Sequence, residues 1–157
     1  MTHVADLDDL QALLAANGIH TMEAAMRSKD LAKLGDSLVN LLHSLAESMA
    51  AKRFAGAKVS GKILASALRS ANLRQLAPSR LDAHGLGDSA EALIAYGWIR
   101  GAFSIPEAAK LLARELLRAS EQPVEPKSSR MQPAATAFAA LLQLIWANNP
   151  GREPQSQ

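Results

Sequence analysis

The chain has 157 residues, a formal net charge of +2, 48% apolar residues, only 4% aromatics and no cysteine. That length suits one domain with a substantial core, and an alanine- and leucine-rich apolar set favours close-packed helices over a sheet. Disulfides, thiolate zinc sites and cysteine nucleophiles are excluded. No apolar run reaches the roughly eighteen residues of a membrane span, and residues 1–6 lack the start of a signal peptide, so a cytoplasmic location is expected.

In chain order, apolar spacing predicts a helix over residues 8–16, with Leu10, Leu13 and Leu14 on one face and a stop at Asn17-Gly18. A short segment at 21–26 leads into a long helix whose stripe of Leu31, Leu34, Leu38, Leu41, Leu42 and Leu45 extends to Ala51. A turn around Gly56 separates it from a helix over 60–71, and Pro78-Ser79 marks the next connection. Residues 86–99 form a strongly apolar helix in which Gly97 is either a packing contact or a weak point. Ser104 caps the following helix, with Pro106 in its first turn and its end near Leu117. Residues 122–133, with three prolines among polar residues, read as a linker, 134–149 as a C-terminal helix and 150–157 as a disordered tail. The expected architecture is all-α, a single domain over residues 1–121 with an extra C-terminal helix.

The small net charge hides an uneven distribution. Residues 48–81 contain no acid, whereas Lys52, Arg53, Lys58, Lys62, Arg69, Arg74 and Arg80 all fall there. Such a segment is either a phosphate-binding surface or an ordinary solvated helix face. With so few aromatics, contact with a duplex backbone is favoured over base stacking on single strands.

Two acidic motifs sit in otherwise apolar segments: Leu34-Gly35-Asp36-Ser37-Leu38 and Gly87-Asp88-Ser89-Ala90-Glu91-Ala92. One reading is helix capping. Asp36 follows a glycine, and Asp88 with Glu91 three residues later has the spacing of a capping box. The other uses the same spacing on a continuous helix, where Asp88 and Glu91 share a face and, with Asp36, present oxygens to a divalent cation.

The order of these motifs, with Val59-Ser60 ahead of Leu64-Ala65 between them, resembles the catalytic domain of ribonuclease III over residues 29–117, and in particular its short archaeal relatives. The resemblance implies an all-helical endonuclease domain that dimerises and cuts double-stranded RNA with Mg2+ (or Mn2+). Site carboxylates then fall on Asp36, Asp88 and Glu91. The family's first motif, Glu-Arg-Leu-Glu-Phe-Leu-Gly-Asp, places its two glutamates on Lys29 and Ala32, so one expected site acid is absent. The residues after Gln122 are too few for the double-stranded-RNA-binding domain that usually follows.

Two functions from different classes follow. The first is a magnesium-dependent endoribonuclease in which Asp36, Asp88 and Glu91 hold the ion and Lys52, Arg53, Lys58 and Lys62 contact the duplex. The second is a non-catalytic RNA-binding scaffold, in which Lys29 or Lys33 pairs with the former ligands. The three retained acids favour the first, since unpaired charge beside an apolar core is costly. Asn40 is either a substitute oxygen ligand or an amide bonded to backbone. His43 reads as a surface or core histidine, His84 as a loop residue, and Tyr96 and Trp98 as core or dimer contacts. A homodimer is also expected because the 86–99 helix is apolar enough to need covering on more than one face.

Overall fold

The computed structural model describes residues 7–121 and 132–148. Its elements are α1 (Asp8–Ala16), α2 (Met22–Met26), α3 (Lys29–Ala51), α4 (Gly61–Ser70), a 3-10 turn (Arg74–Leu76), α5 (Ala83–Ile99), α6 (Ile105–Ser120) and α7 (Pro133–Asn148). Every regular element among the described residues is a helix, with no strand among them. Most of the expected linker and all of the expected tail lie outside the described residues.

Side-chain caps set most helix starts. Thr21, Ser28 and Ser60 each accept a hydrogen bond from the backbone N–H three residues on, and Ser104 with Glu107 forms a full capping box. Asn17 ends α1 and Gly18 follows in the left-handed region, as the Asn-Gly pair predicts.

One boundary differs in a way that changes the site. α5 begins at Ala83, three residues earlier than its apolar pattern suggests, because Asp82 takes the cap position and accepts from the N–H of Gly85. Asp88 and Glu91 are therefore interior helical residues. Asp36 likewise lies two turns inside α3, whose cap is Ser28. The capping reading of all three acids is corrected: their side chains are available for other work.

The core is built around α5, which packs against α2, α3, α4 and α7 and is buried on nearly every face. The chain thus covers this helix itself, so its apolarity is no argument for a dimer. Gly97 is a packing contact, since a Cβ there would meet the side chain of Ile145 in α7. α7 completes the same core, burying Phe138, Leu141, Leu142 and Ile145. Of the α3 leucine stripe, Leu31, Leu38 and Leu42 are buried, whereas Leu34, Leu41 and Leu45 are exposed. The stripe is wider than the face that the chain covers.

A candidate two-helix carboxylate site

Close approach of backbones places the acids. At the crossing of α3 and α5, Gly35 lies against the main chain of Glu91, and a Cβ at Gly35 would collide with the Glu91 carbonyl. One turn earlier on α5, Gly87 approaches the backbone of Gly61 so closely that a Cβ would stand 2.8 Å from its Cα. Both glycines permit contacts that any side chain would hold apart. Asp36 and Asp88, the residues immediately after them, are thereby brought to the same place as Glu91.

Glu91 is 8% exposed, and its carboxyl faces those of Asp36 and Asp88. Burial, then the hydrogen bond and charge of Asp36, then the charge and hydrogen bond of Asp88, push its pKa up to about 8. Three carboxyl groups facing one another cannot all ionise cheaply, and near neutrality Glu91 is the one that keeps its proton. The arrangement as it stands accommodates that proton, and no group of three or more His, Cys, Asp and Glu side chains among the described residues has the geometry of a metal cage. As donors, however, the three fit a hard divalent cation. They offer only oxygens, their mutual repulsion is relieved by positive charge, and the position of the family's remaining acid is the buried Ala32, leaving room in the donor set for water.

Neighbouring polar groups fix these acids. Asn40, one turn after Asp36, donates from Nδ2 to Asp36 Oδ1 at 3.3 Å while its Oδ1 accepts from the N–H of Val59 at 2.8 Å. The Val59 donor sets the amide orientation and occupies its oxygen, so Asn40 positions Asp36 and is not a substitute ligand. His84 lies one turn before Asp88, with Nε2 3.7 Å from Asp88 Oδ2. It belongs to the first turn of α5 rather than to a loop, and the i,i+4 spacing reveals it once the helix start is known. His43 is buried against Phe138 and Glu47, with its pKa lowered by burial against the opposing charge of Glu47.

Neither lysine of the first motif neutralises the acids. Lys33 pairs with Asp30 at 3.6 Å, and among the described residues no ion pair joins Lys29 or Lys33 to Asp36, Asp88 or Glu91. Lys29 does line a small groove, about 130 Å³, together with Asp88, Gly85 and Ser89.

The basic residues divide into groups. Lys58 and Lys62 flank Val59 and Gly61, the two backbone positions tied to Asn40 and Gly87 beside the acids. Lys52 and Arg53 lie past the far end of α3, roughly 24 Å along the helix axis from Asp36. Arg74 turns inward and donates to the carbonyl of Pro78 at 3.1 Å, so part of the basic segment serves the fold.

Two crossing helices of an all-helical domain thus bring three acids to one place, one of them buried. A ribonuclease III family model matches residues 29–148, and the chain belongs to that family. The match includes α7, beyond the limit at 117 that the motifs alone imply. A search of curated proteins finds no match. The ribonuclease III family is generally divalent-metal dependent and acts on double-stranded RNA.

Proposed function

We propose that this protein is an endoribonuclease that hydrolyses phosphodiester bonds of double-stranded RNA with Mg2+ or Mn2+, acting as a homodimer. The observation that carries this reading is the crossing of α3 and α5 that sets Asp36 and Asp88 against the buried Glu91, with no lysine among the described residues ion-paired to them. A scaffold that had lost the reaction would gain stability by neutralising that cluster.

Glu91, Asp36 and Asp88 would hold the ion, with water in place of the family acid missing at Ala32. Bound there, a divalent cation supplies charge stabilisation to the phosphodiester and activation of the attacking water. The chain's own groups do the rest. Asn40 keeps Asp36 oriented through a bond that also ties down the start of α4. Glu91 would serve as a ligand in its carboxylate form, its proton passing to solvent, and Lys58 and Lys62, which flank the Val59 and Gly61 backbone beside the acids, would contact phosphates near the cut.

The dimer reading is supported by the exposed side chains of Leu34, Leu41 and Leu45, which repeat along one flank of α3. Sedimentation as a dimer, shifted to monomer by Leu41→Lys, is the expected behaviour. The activity is tested by incubating a long perfect RNA duplex with the protein and Mg2+ or Mn2+. Discrete 5′-phosphorylated fragments are expected, and an intact duplex that remains bound would favour the scaffold.

A further inference from the structure

The connection between α3 and α4 is held by a ladder of side chains from α3. Ser48 Oγ accepts from the N–H of Ala55 at 2.8 Å while its hydroxyl donates to the Ser44 carbonyl at 2.8 Å; Ser44 Oγ accepts from the N–H of Ala57 at 2.9 Å and donates to the Ala57 carbonyl at 3.2 Å; Asn40 accepts from Val59. Residues one turn apart on the helix thus pin every second residue of the connection. On this fixed segment Phe54 is 101% exposed, beside the exposed Lys52 and Arg53. Phe54 supports nothing in the core, and burying a freely presented ring against a partner costs little ordering entropy.

The same turn of α3 carries a second feature. Met49, adjacent to Ser48, lines a groove of about 490 Å³ shared with α6, floored by Ala113 and Leu117 and edged by Lys110, Arg114 and Arg118. These three cations repeat every four residues on exposed positions of α6; Arg118 also pairs with Glu115, and Glu121 closes one end. An apolar floor with a cationic edge, and five residues on from Met49 in the chain an exposed aromatic ring preceded by two cations, are what a flexible polyanion with flat apolar faces requires.

We propose that the C-terminal turn of α3 is a docking surface for an unpaired RNA segment flanking the duplex, with a base stacked on Phe54 and phosphates against Lys110 and Arg114. The inference rests on the nuclease reading and adds to it a substrate feature: a single-stranded extension reaching roughly 20 Å along α3 from Asp36. It adds base stacking to the duplex-backbone contact that the scarcity of aromatics favours.

The test compares binding of a blunt RNA duplex with the same duplex carrying a single-stranded tail, at low salt without divalent metal, for the full chain and for Phe54→Ala, Phe54→Tyr and Arg114→Ala. Wild type should bind the tailed duplex on the order of tenfold more tightly, the scale of one base–aromatic stack. Phe54→Ala should abolish that advantage while leaving the blunt duplex unaffected, and Phe54→Tyr should restore it. Arg114→Ala should lower the salt dependence of tailed binding by about 0.7 in the log–log slope. Equal binding of both duplexes overturns the inference and leaves the nuclease reading intact. A Phe54→Ala variant that changes oligomeric state without altering tail preference also overturns it, making Phe54 a contact between copies. A tail advantage that depends on Phe54, without cleavage of any duplex in Mg2+, sustains the docking surface and removes the nuclease reading.

Discussion

Gly35 and Glu91 touch through their backbones where α3 crosses α5, and this contact sets the depth at which the Glu91 carboxyl sits beneath Asp36. Gly35→Ala should therefore force the two helices apart. We expect a loss of about 3 kcal/mol in chemical denaturation, at the upper end for overpacking, because the obstacle is main chain that cannot rotate away. Unchanged stability would mean that the crossing is looser than described.

Glu91 holds its proton more tightly in the folded chain than in the unfolded one. Its contribution to stability is therefore full below the ordinary glutamate range and is lost as pH rises from about 4.5 to about 8. Without metal, wild type should weaken over that interval by on the order of a few kcal/mol, and Glu91→Gln should flatten the curve. At pH 8, Mg2+ should raise the melting temperature of wild type and leave that of Glu91→Gln in place. Parallel pH curves for the two proteins would contradict the retained proton on Glu91.

His43 works in the opposite direction. Burial lowers its pKa, so the neutral ring favours the folded state above the ordinary histidine range, and that contribution disappears as pH falls through the lowered value. Glu47 opposes the shift. His43→Leu should make the chain less sensitive to acid below about pH 6.5, read as a shallower fall in melting temperature.

Asn40→Ala removes an acceptor from the N–H of Val59 and a donor from Asp36, and should cost about 1–2 kcal/mol. Asn40→Asp keeps an acceptor for Val59 but sets a second carboxylate against Asp36. Its deficit should grow with pH, where that of the alanine variant stays level.

Ending the chain at residue 121 removes α7 and uncovers the core around Leu64, Leu68 and Gly97 that Phe138, Leu142 and Ile145 complete. Such a chain should fail to give a cooperative unfolding transition. A stable truncated domain would make α7 an accessory element.

Much of this fold was legible because serines and threonines stand directly before the apolar runs of α2, α3, α4 and α6, and caps are local. The start of α5 was not. Ala83, His84 and Gly85 carry no apolar rhythm, while Asp88 and Glu91 imitate a capping box better than Asp82 does. The breadth of the α3 leucine stripe showed that the helix is amphipathic, but a period cannot tell which flank the chain itself covers. The three acids were visible as residues and helix spacing offered a shared cation site as one of two readings, but it could not decide for it, since the convergence depends on Gly35 and Gly87 fitting against main chain far away in sequence. Phe54 gave no signal at all, because nothing in a turn sequence distinguishes a ring that folds inward from one held out by Ser48 and Ser44.

The most direct test of the account is single-turnover cleavage of an RNA duplex as a function of Mg2+ concentration for wild type, Asp36→Asn, Asp88→Asn, Glu91→Gln and the triple variant. If the three acids act as one site, each single variant should lose most of the rate, with losses far from additive in the triple. Cleavage by wild type that survives all three changes, or that needs no divalent ion, would contradict it.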